Sequence, residues 1–150
     1  MKKTLMFAAA AAAVSLPMLA SAQFAKPEDA IKYRKAAFTI MATHFGRVGA
    51  MVSGKAPWDA KAAADNIATA AAVHNLAFAG FVPGSDKGDT KAKAEVWSNA
   101  ADFEKKRAAM SAAMGKLAAA GPSGDQAAIK TAFGAVGQAC KACHDDYRAK

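Results

Sequence analysis

Cysteine is scarce in this chain: its 150 residues hold two, Cys140 and Cys143. A structural zinc site normally takes four ligands, and the absence of a second cysteine pair removes the usual way of building one. Sustained strand-type alternation is missing throughout, which excludes a sheet-based fold. Beyond residue 22 there is no apolar run long enough to cross a bilayer, so that part of the chain is expected to be soluble and not held in a membrane. Acidic residues are outnumbered, 12 against 20 Lys and Arg, for a net charge of +8. The basic residues are nevertheless spread along the chain, and no aromatic stacking pattern accompanies them. Nucleic acid is therefore not expected as a partner. No internal repeat and no second domain are visible.

What is present begins with an export segment. Met1-Lys2-Lys3 is a short positive start, residues 5–19 are apolar with a long alanine run, and Ala20-Ser21-Ala22 has the small-x-small form cut by signal peptidase. The apolar run is short for a membrane anchor. The expected division is a signal peptide over 1–22 and one domain over 23–150, located in the periplasm. Removing Lys2 and Lys3 with the signal lowers the net charge from +8 to +6. Such a mildly basic domain has a solvated surface, or a basic face for acidic redox partners.

Four stretches carry helical periodicity, separated by breakers. The first starts near Pro27, with Glu28 and Asp29 suiting the helix dipole. Its stripe is Ile31, Phe38, Met41, Phe45, Val48 and Val52, and it ends around Ser53-Gly54. The second follows Pro57-Trp58, with Asp59 as N-cap, and runs through Ile67, Ala71, His74 and Phe78 to Gly80. Residues 82–89 read as a loop. The third carries Val96, Ala100, Phe103, Arg107, Met110, Met114 and Leu117, and stops before Gly121-Pro122. The fourth is capped by Ser123 or Asp125. Its stripe of Ile129, Phe133, Val136, Cys140, Cys143 and Tyr147 alternates steps of four and three, the seam of a helical bundle. Helices of about 20–27 residues, each roughly 30–40 Å long, predict an all-α fold, one antiparallel four-helix bundle.

The motif that carries chemistry is Cys140-Lys141-Ala142-Cys143-His144. On a helix, residues at i, i+3 and i+4 share a face. Two thiols so placed can bond to the two vinyl groups on one porphyrin edge, and the adjacent imidazole can serve as proximal iron ligand. A disulfide across that helical gap would be strained. A thioredoxin-type pair would open a helix beside a strand, whereas this pair lies near the end of the last helix. The spacing therefore predicts one covalent haem c, with Cys140 and Cys143 as attachment points and His144 as metal ligand. Its propionates would lower the net charge by about two. The sixth iron position decides function. Met41, His44, Met51, His74, Met110 and Met114 are candidates, although methionines on an apolar stripe and lone histidines are more often packing residues. No acid–base constellation accompanies the motif, so catalytic turnover is not expected.

Several stretches carry a family resemblance. They are Gln23-Phe24-Ala25-Lys26-Pro27-Glu28-Asp29-Ala30-Ile31-Lys32-Tyr33-Arg34, then Pro83-Gly84, Glu95-Val96-Trp97-Ser98, and the close Cys140-Lys141-Ala142-Cys143-His144-Asp145-Asp146-Tyr147-Arg148. Over residues 23–150 the chain resembles cytochrome c′, the class II c-type cytochromes, whose known fold is the up-down-up-down four-helix bundle. The resemblance implies a pentacoordinate, high-spin haem with His144 proximal and an apolar side chain of the first helix over the distal face. That position falls on Phe38. Many members have leucine there, and low-spin relatives have methionine as sixth ligand. Phe38 thus favours gas binding while being bulky enough to slow or block distal access. The resemblance further places Arg34, Lys35 and Asp89 near the haem propionates, although other members often have glutamine at the Lys35 position. Arg148, one turn after His144, falls beside the proximal face, where a basic residue is implicated in ligand capture. The implied protein is a homodimer through its first two helices. It binds nitric oxide and carbon monoxide, buffers nitric oxide and passes single electrons to an unidentified redox partner. The rivals are a low-spin electron carrier with Met41 as sixth ligand, and a haem subunit whose activity lies in a larger complex.

Overall fold

The structure, a computed structural model, describes residues 23–150. The expected signal peptide over 1–22 lies outside the described residues. Helix α1 spans Pro27–Val52, α2 Ala60–Ala79, the single turn α3 Glu95–Ser98, α4 Ala100–Ala120 and α5 Gln126–Tyr147. The four long helices make the up-down-up-down bundle. Helix α1 packs along α2 and α4 along α5, while α2 on α4 and α1 on α5 close the ring.

The helix ends follow local chemistry. Pro27 opens α1 with Glu28 and Asp29 in its first turn. Asp59 caps α2 by accepting from the Ala62 amide at 2.9 Å. For α5 the two cap candidates resolve in favour of Asp125, which accepts from the Ala127 amide at 2.8 Å and the Ala128 amide at 3.3 Å. Such caps each contribute about 1 kcal/mol.

The third stretch departs from expectation. Its helical pattern runs on from Glu95, but the backbone breaks at Asn99, with φ −121° and ψ 49°. Tertiary packing overrides local propensity here. Val96 turns into the interior, and the Trp97 indole N–H donates to the Val82 carbonyl at 3.2 Å, which ties α3 to the loop before it. That loop, residues 80–94, is also fastened to the end of α5. The Lys93 amide donates to the Tyr147 carbonyl at 3.0 Å and the Ala149 amide to the Lys91 carbonyl at 2.8 Å.

The main core contains Met41, Val48, Val52, Ile67, Met110, Met114, Leu117, Ile129 and Val136. Small residues let the helices approach closely. A Cβ at Gly80 would fall 2.7 Å from the Ala30 carbonyl oxygen and 2.7 Å from the Arg34 Cβ, neither of which can yield without moving α1. Replacing Gly80 by alanine should therefore destabilise the fold by about 1–3 kcal/mol, read as a lowered urea midpoint. Phe38 and Phe45, on the predicted α1 stripe, are only partly buried although packed against the core. Both line a cleft between α1 and the α4–α5 pair.

Candidate haem-binding site

Cys140, Cys143 and His144 sit on the last two turns of α5, with the cysteines partly buried and His144 exposed. Burial raises both thiols above the usual cysteine value, and the nearby Lys106 cation partly offsets this for Cys143. Partial desolvation of the ring by its neighbours and, secondarily, the Arg148 cation hold the His144 imidazole below its ordinary value. That favours the neutral ring, the form that ligates metals.

These three side chains form one wall of a cleft of about 680 Å³. This lies within the ~300–1,000 Å³ typical of ligand pockets. The rest of the wall is largely apolar and aromatic, with Phe38, Met41, Phe78, Phe81, Phe103 and Met110. Phe38 is held by edge contacts with Phe78 at 5.8 Å and Phe81 at 6.2 Å between centroids. Such tilted pairs are the preferred aromatic geometry.

The residues expected to hold the haem reach this one cleft: Arg34, Lys35, Phe38, Asp89, Cys140, Cys143, His144 and Arg148 all line it. Lys35 on α1 and Asp89 on the loop pair across the mouth at 2.5 Å. That contact holds the Asp89 carboxyl below its usual range. Arg34 differs from Lys35 in what its charge does. It is 3% exposed, and its guanidinium donates to the Gly80 carbonyl at 2.8 Å, the Ser85 hydroxyl at 2.6 Å, the Ser85 carbonyl at 2.7 Å and the Thr90 hydroxyl at 2.6 Å. It also lies 4.7 Å from the Phe81 ring centre and 5.9 Å from that of Trp97. Arg34 therefore shapes the cleft mouth by clamping the loop.

Of the candidate sixth ligands, Met41, Met110 and Met114 line the cleft. His44, His74 and Met51 stand outside it. The His44 Nδ1 bonds to the Asn66 side-chain oxygen at 2.8 Å, His74 is buried with Nδ1 on the Ala71 carbonyl at 2.6 Å, and Met51 is buried on α1.

Two parts of the site escaped the sequence. Phe81 lies in a loop, where no periodicity marks it. Tyr147 was visible as the last residue of the α5 seam, but its partner was not. Its hydroxyl donates to the Asp102 carboxylate at 2.6 Å, and Asp102 is on α4. Burial and then this bond push the Tyr147 phenol up to about 12. The raised value means that the stabilisation is complete below the ordinary tyrosine range near pH 10 and is lost as the pH rises through about 12. An ultraviolet titration should find the Tyr147 phenol ionising last, and Asp102→Asn should lower its value by removing the anion.

A helix-borne pair of thiols with an adjacent imidazole, lining an apolar cleft of this size, fits a covalently held haem. The fold and site together define a c-type haem protein built on a four-helix bundle. Comparison with known proteins narrows the class. The family model described as Cytochrome C′ matches residues 29–148. Cytochrome c′ of Rubrivivax gelatinosus is 54% identical over 129 residues, spanning 85% of this chain and all of that one, and its crystal structure superposes with a TM-score of 0.83. Cytochrome c′ of Alcaligenes xylosoxidans, solved as the nitric oxide complex of a leucine-to-alanine variant, is 47% identical, covers 85% of this chain and 99% of that one, and has a TM-score of 0.80. A leucine-to-glycine variant of that protein was solved with carbon monoxide bound, again at 47% identity over 85% of this chain and all of that one, with a TM-score of 0.80. The chain belongs to the cytochrome c′ family.

Proposed function

We propose that this chain is a periplasmic haem c protein that binds nitric oxide and carbon monoxide, buffers nitric oxide and passes single electrons, without catalytic turnover. Bound haem would supply an iron centre able to take up a small diatomic ligand and to change oxidation state. The residues supply the rest. Cys140 and Cys143 anchor one haem per chain through two thioethers, and His144 holds the proximal side. Lys35 presents a cation at the cleft mouth for a propionate, with Asp89 fixing its position and Arg34 holding the loop that carries Asp89. Arg148, one turn beyond His144, stands beside the proximal face.

The observation that carries this reading is the side chain offered by α1. Phe38 lines the cleft with a ring that has no lone pair to give a metal, while Met41, which also lines it, is 8% exposed and packed within the main core. The nitric oxide and carbon monoxide complexes of the Alcaligenes xylosoxidans relative support the choice of ligands. Titrating the ferrous protein with each gas tests it: both should shift the Soret band with saturation, and a ferrous spectrum that neither gas alters would refute the proposal. Cys140→Ala and Cys143→Ala should each remove one thioether, visible in the spectrum of the pyridine complex.

The assembly we favour is a homodimer through α1 and α2. Ile40 and Leu76, the large apolar side chains left exposed among the described residues, at 45% and 46%, lie on those helices. Residues 1–22 act in this account as a signal peptide cleaved after Ala22, leaving 23–150 as the mature domain.

A further inference from the structure

Tyr147 lines the cleft together with Cys143 and His144, and it is 5% exposed. Its hydroxyl has a second, longer contact with the Asn99 carbonyl at 3.5 Å besides the 2.6 Å bond to Asp102. Anchoring the end of α5 to α4 explains a hydrogen bond at this place. It does not require that the acceptor be a carboxylate, nor that the phenol lie on the wall of a redox site.

Removing one electron from a phenol makes its hydroxyl a very strong acid. The electron leaves readily only where a base takes the proton in the same step. Asp102 is such a base: it is already in line with the proton, and its side chain is 41% exposed, so that water can relay the proton onward. The other oxidisable aromatic groups near the cleft lack this feature. The Trp97 indole N–H points at the Val82 backbone carbonyl, which is not a base. Tyr33, the second of the chain's two tyrosines, packs on Phe24 at 5.1 Å and is not among the residues lining the cleft. Tyr147 also touches the aromatic cluster, with Phe103 at 5.2 Å, Phe81 5.0 Å further on and Trp97 6.2 Å beyond that.

We propose that Tyr147 is a redox-active tyrosine that returns an electron to the haem after oxidation by hydrogen peroxide, with Asp102 as its proton acceptor. The proposal rests on the reading of the cleft as a haem site. Hydrogen peroxide takes two electrons and two protons to become two waters. One of the electrons lost from the haem is replaced by Tyr147. The phenolic O–H bond breaks, the electron passes to the haem, the proton passes to the Asp102 carboxylate, and a neutral tyrosyl radical remains. Two one-electron reductants of the ascorbate class then each supply an electron. One goes to the tyrosyl radical, which takes its proton back from Asp102 and becomes the phenol again, and one to the haem, which returns to the ferric state. The step discharges an accidental oxidation and does not make peroxide a substrate that the protein turns over. The step draws an oxidising equivalent away from the methionines that line the same cleft, Met41, Met110 and Met114.

The test is to mix the ferric, haem-loaded protein with hydrogen peroxide, freeze it within milliseconds and record its electron paramagnetic resonance spectrum. Haem content is measured first from the pyridine complex. A protein without covalent haem would overturn the functional reading itself, whereas haem-loaded protein that forms no tyrosyl radical would overturn only this proposal. The expected result is a radical whose spectrum narrows when the tyrosine rings are deuterated. Tyr147→Phe should abolish it, Tyr33→Phe should leave it, and Asp102→Asn, which keeps the shape and removes the base, should lose most of it. Peptide mass spectrometry should find more methionine sulfoxide in Tyr147→Phe than in the parent. A radical that survives in Tyr147→Phe, disappears in Tyr33→Phe or is unaffected by Asp102→Asn overturns the assignment. Because Asp102→Asn leaves the phenol in place, it tests the role even if removing the hydroxyl loosens α5.

Discussion

Arg34→Ala should destabilise the haem-loaded protein by about 3–5 kcal/mol, a large fraction of the ~5–15 kcal/mol that holds a domain of this size together. The magnitude follows from what the guanidinium touches. It donates four hydrogen bonds into the loop after α2, to Gly80, Ser85 and Thr90, and it packs over Phe81 and Trp97. Truncation strands the Ser85 carbonyl, empties a buried volume and removes the cation from two aromatic faces. Lysine restores the charge but not the fork, so Arg34→Lys should recover only part of the loss. Urea unfolding gives the magnitude, and amide exchange should locate the loosening in residues 80–94. A change below about 1 kcal/mol would mean that the clamp contributes no more than a surface hydrogen bond.

The second large effect is kinetic. Phe38→Ala removes the ring with which α1 lines the cleft and which is held there by Phe78 and Phe81. On the proposed reading a distal ligand has to displace that ring, so its removal should raise the carbon monoxide association rate by about tenfold or more, equivalent to at least ~1.4 kcal/mol of steric work. The same change should cost about 1–3 kcal/mol in stability, less than for a fully buried phenylalanine because the ring is only partly enclosed. Stopped-flow mixing of the ferrous protein with carbon monoxide measures the rate. An unchanged rate in a folded variant would show that Phe38 is not a barrier.

Much of this was legible before any coordinates, and the reasons are specific. Four long helices could be read because their apolar residues recur at three and four, and because Pro27, Asp59, Asp125 and the Gly121-Pro122 pair mark ends by short-range chemistry. The Cys140 to His144 motif could be read because one helical turn suffices to bring its three side chains together. The break at Asn99 could not, since the local sequence favours helix and the interruption comes from Val96 and Trp97 packing against a loop some fifteen residues earlier. The role of Arg34 was half visible. The family resemblance placed it at the propionate edge, and it does line the cleft, but its guanidinium is occupied by groups 46 to 56 residues away in sequence. Tyr147 and Asp102 are 45 residues apart, and no pattern of spacing connects them.

The central claim is an iron held by His144 with no protein ligand opposite. The absorption spectrum of the purified ferric protein tests it most directly. A five-coordinate, high-spin spectrum without a methionine–iron charge-transfer band near the red end is the result this account predicts. Such a band, with a low-spin spectrum in both oxidation states, would place Met41 or another cleft methionine on the iron and contradict it.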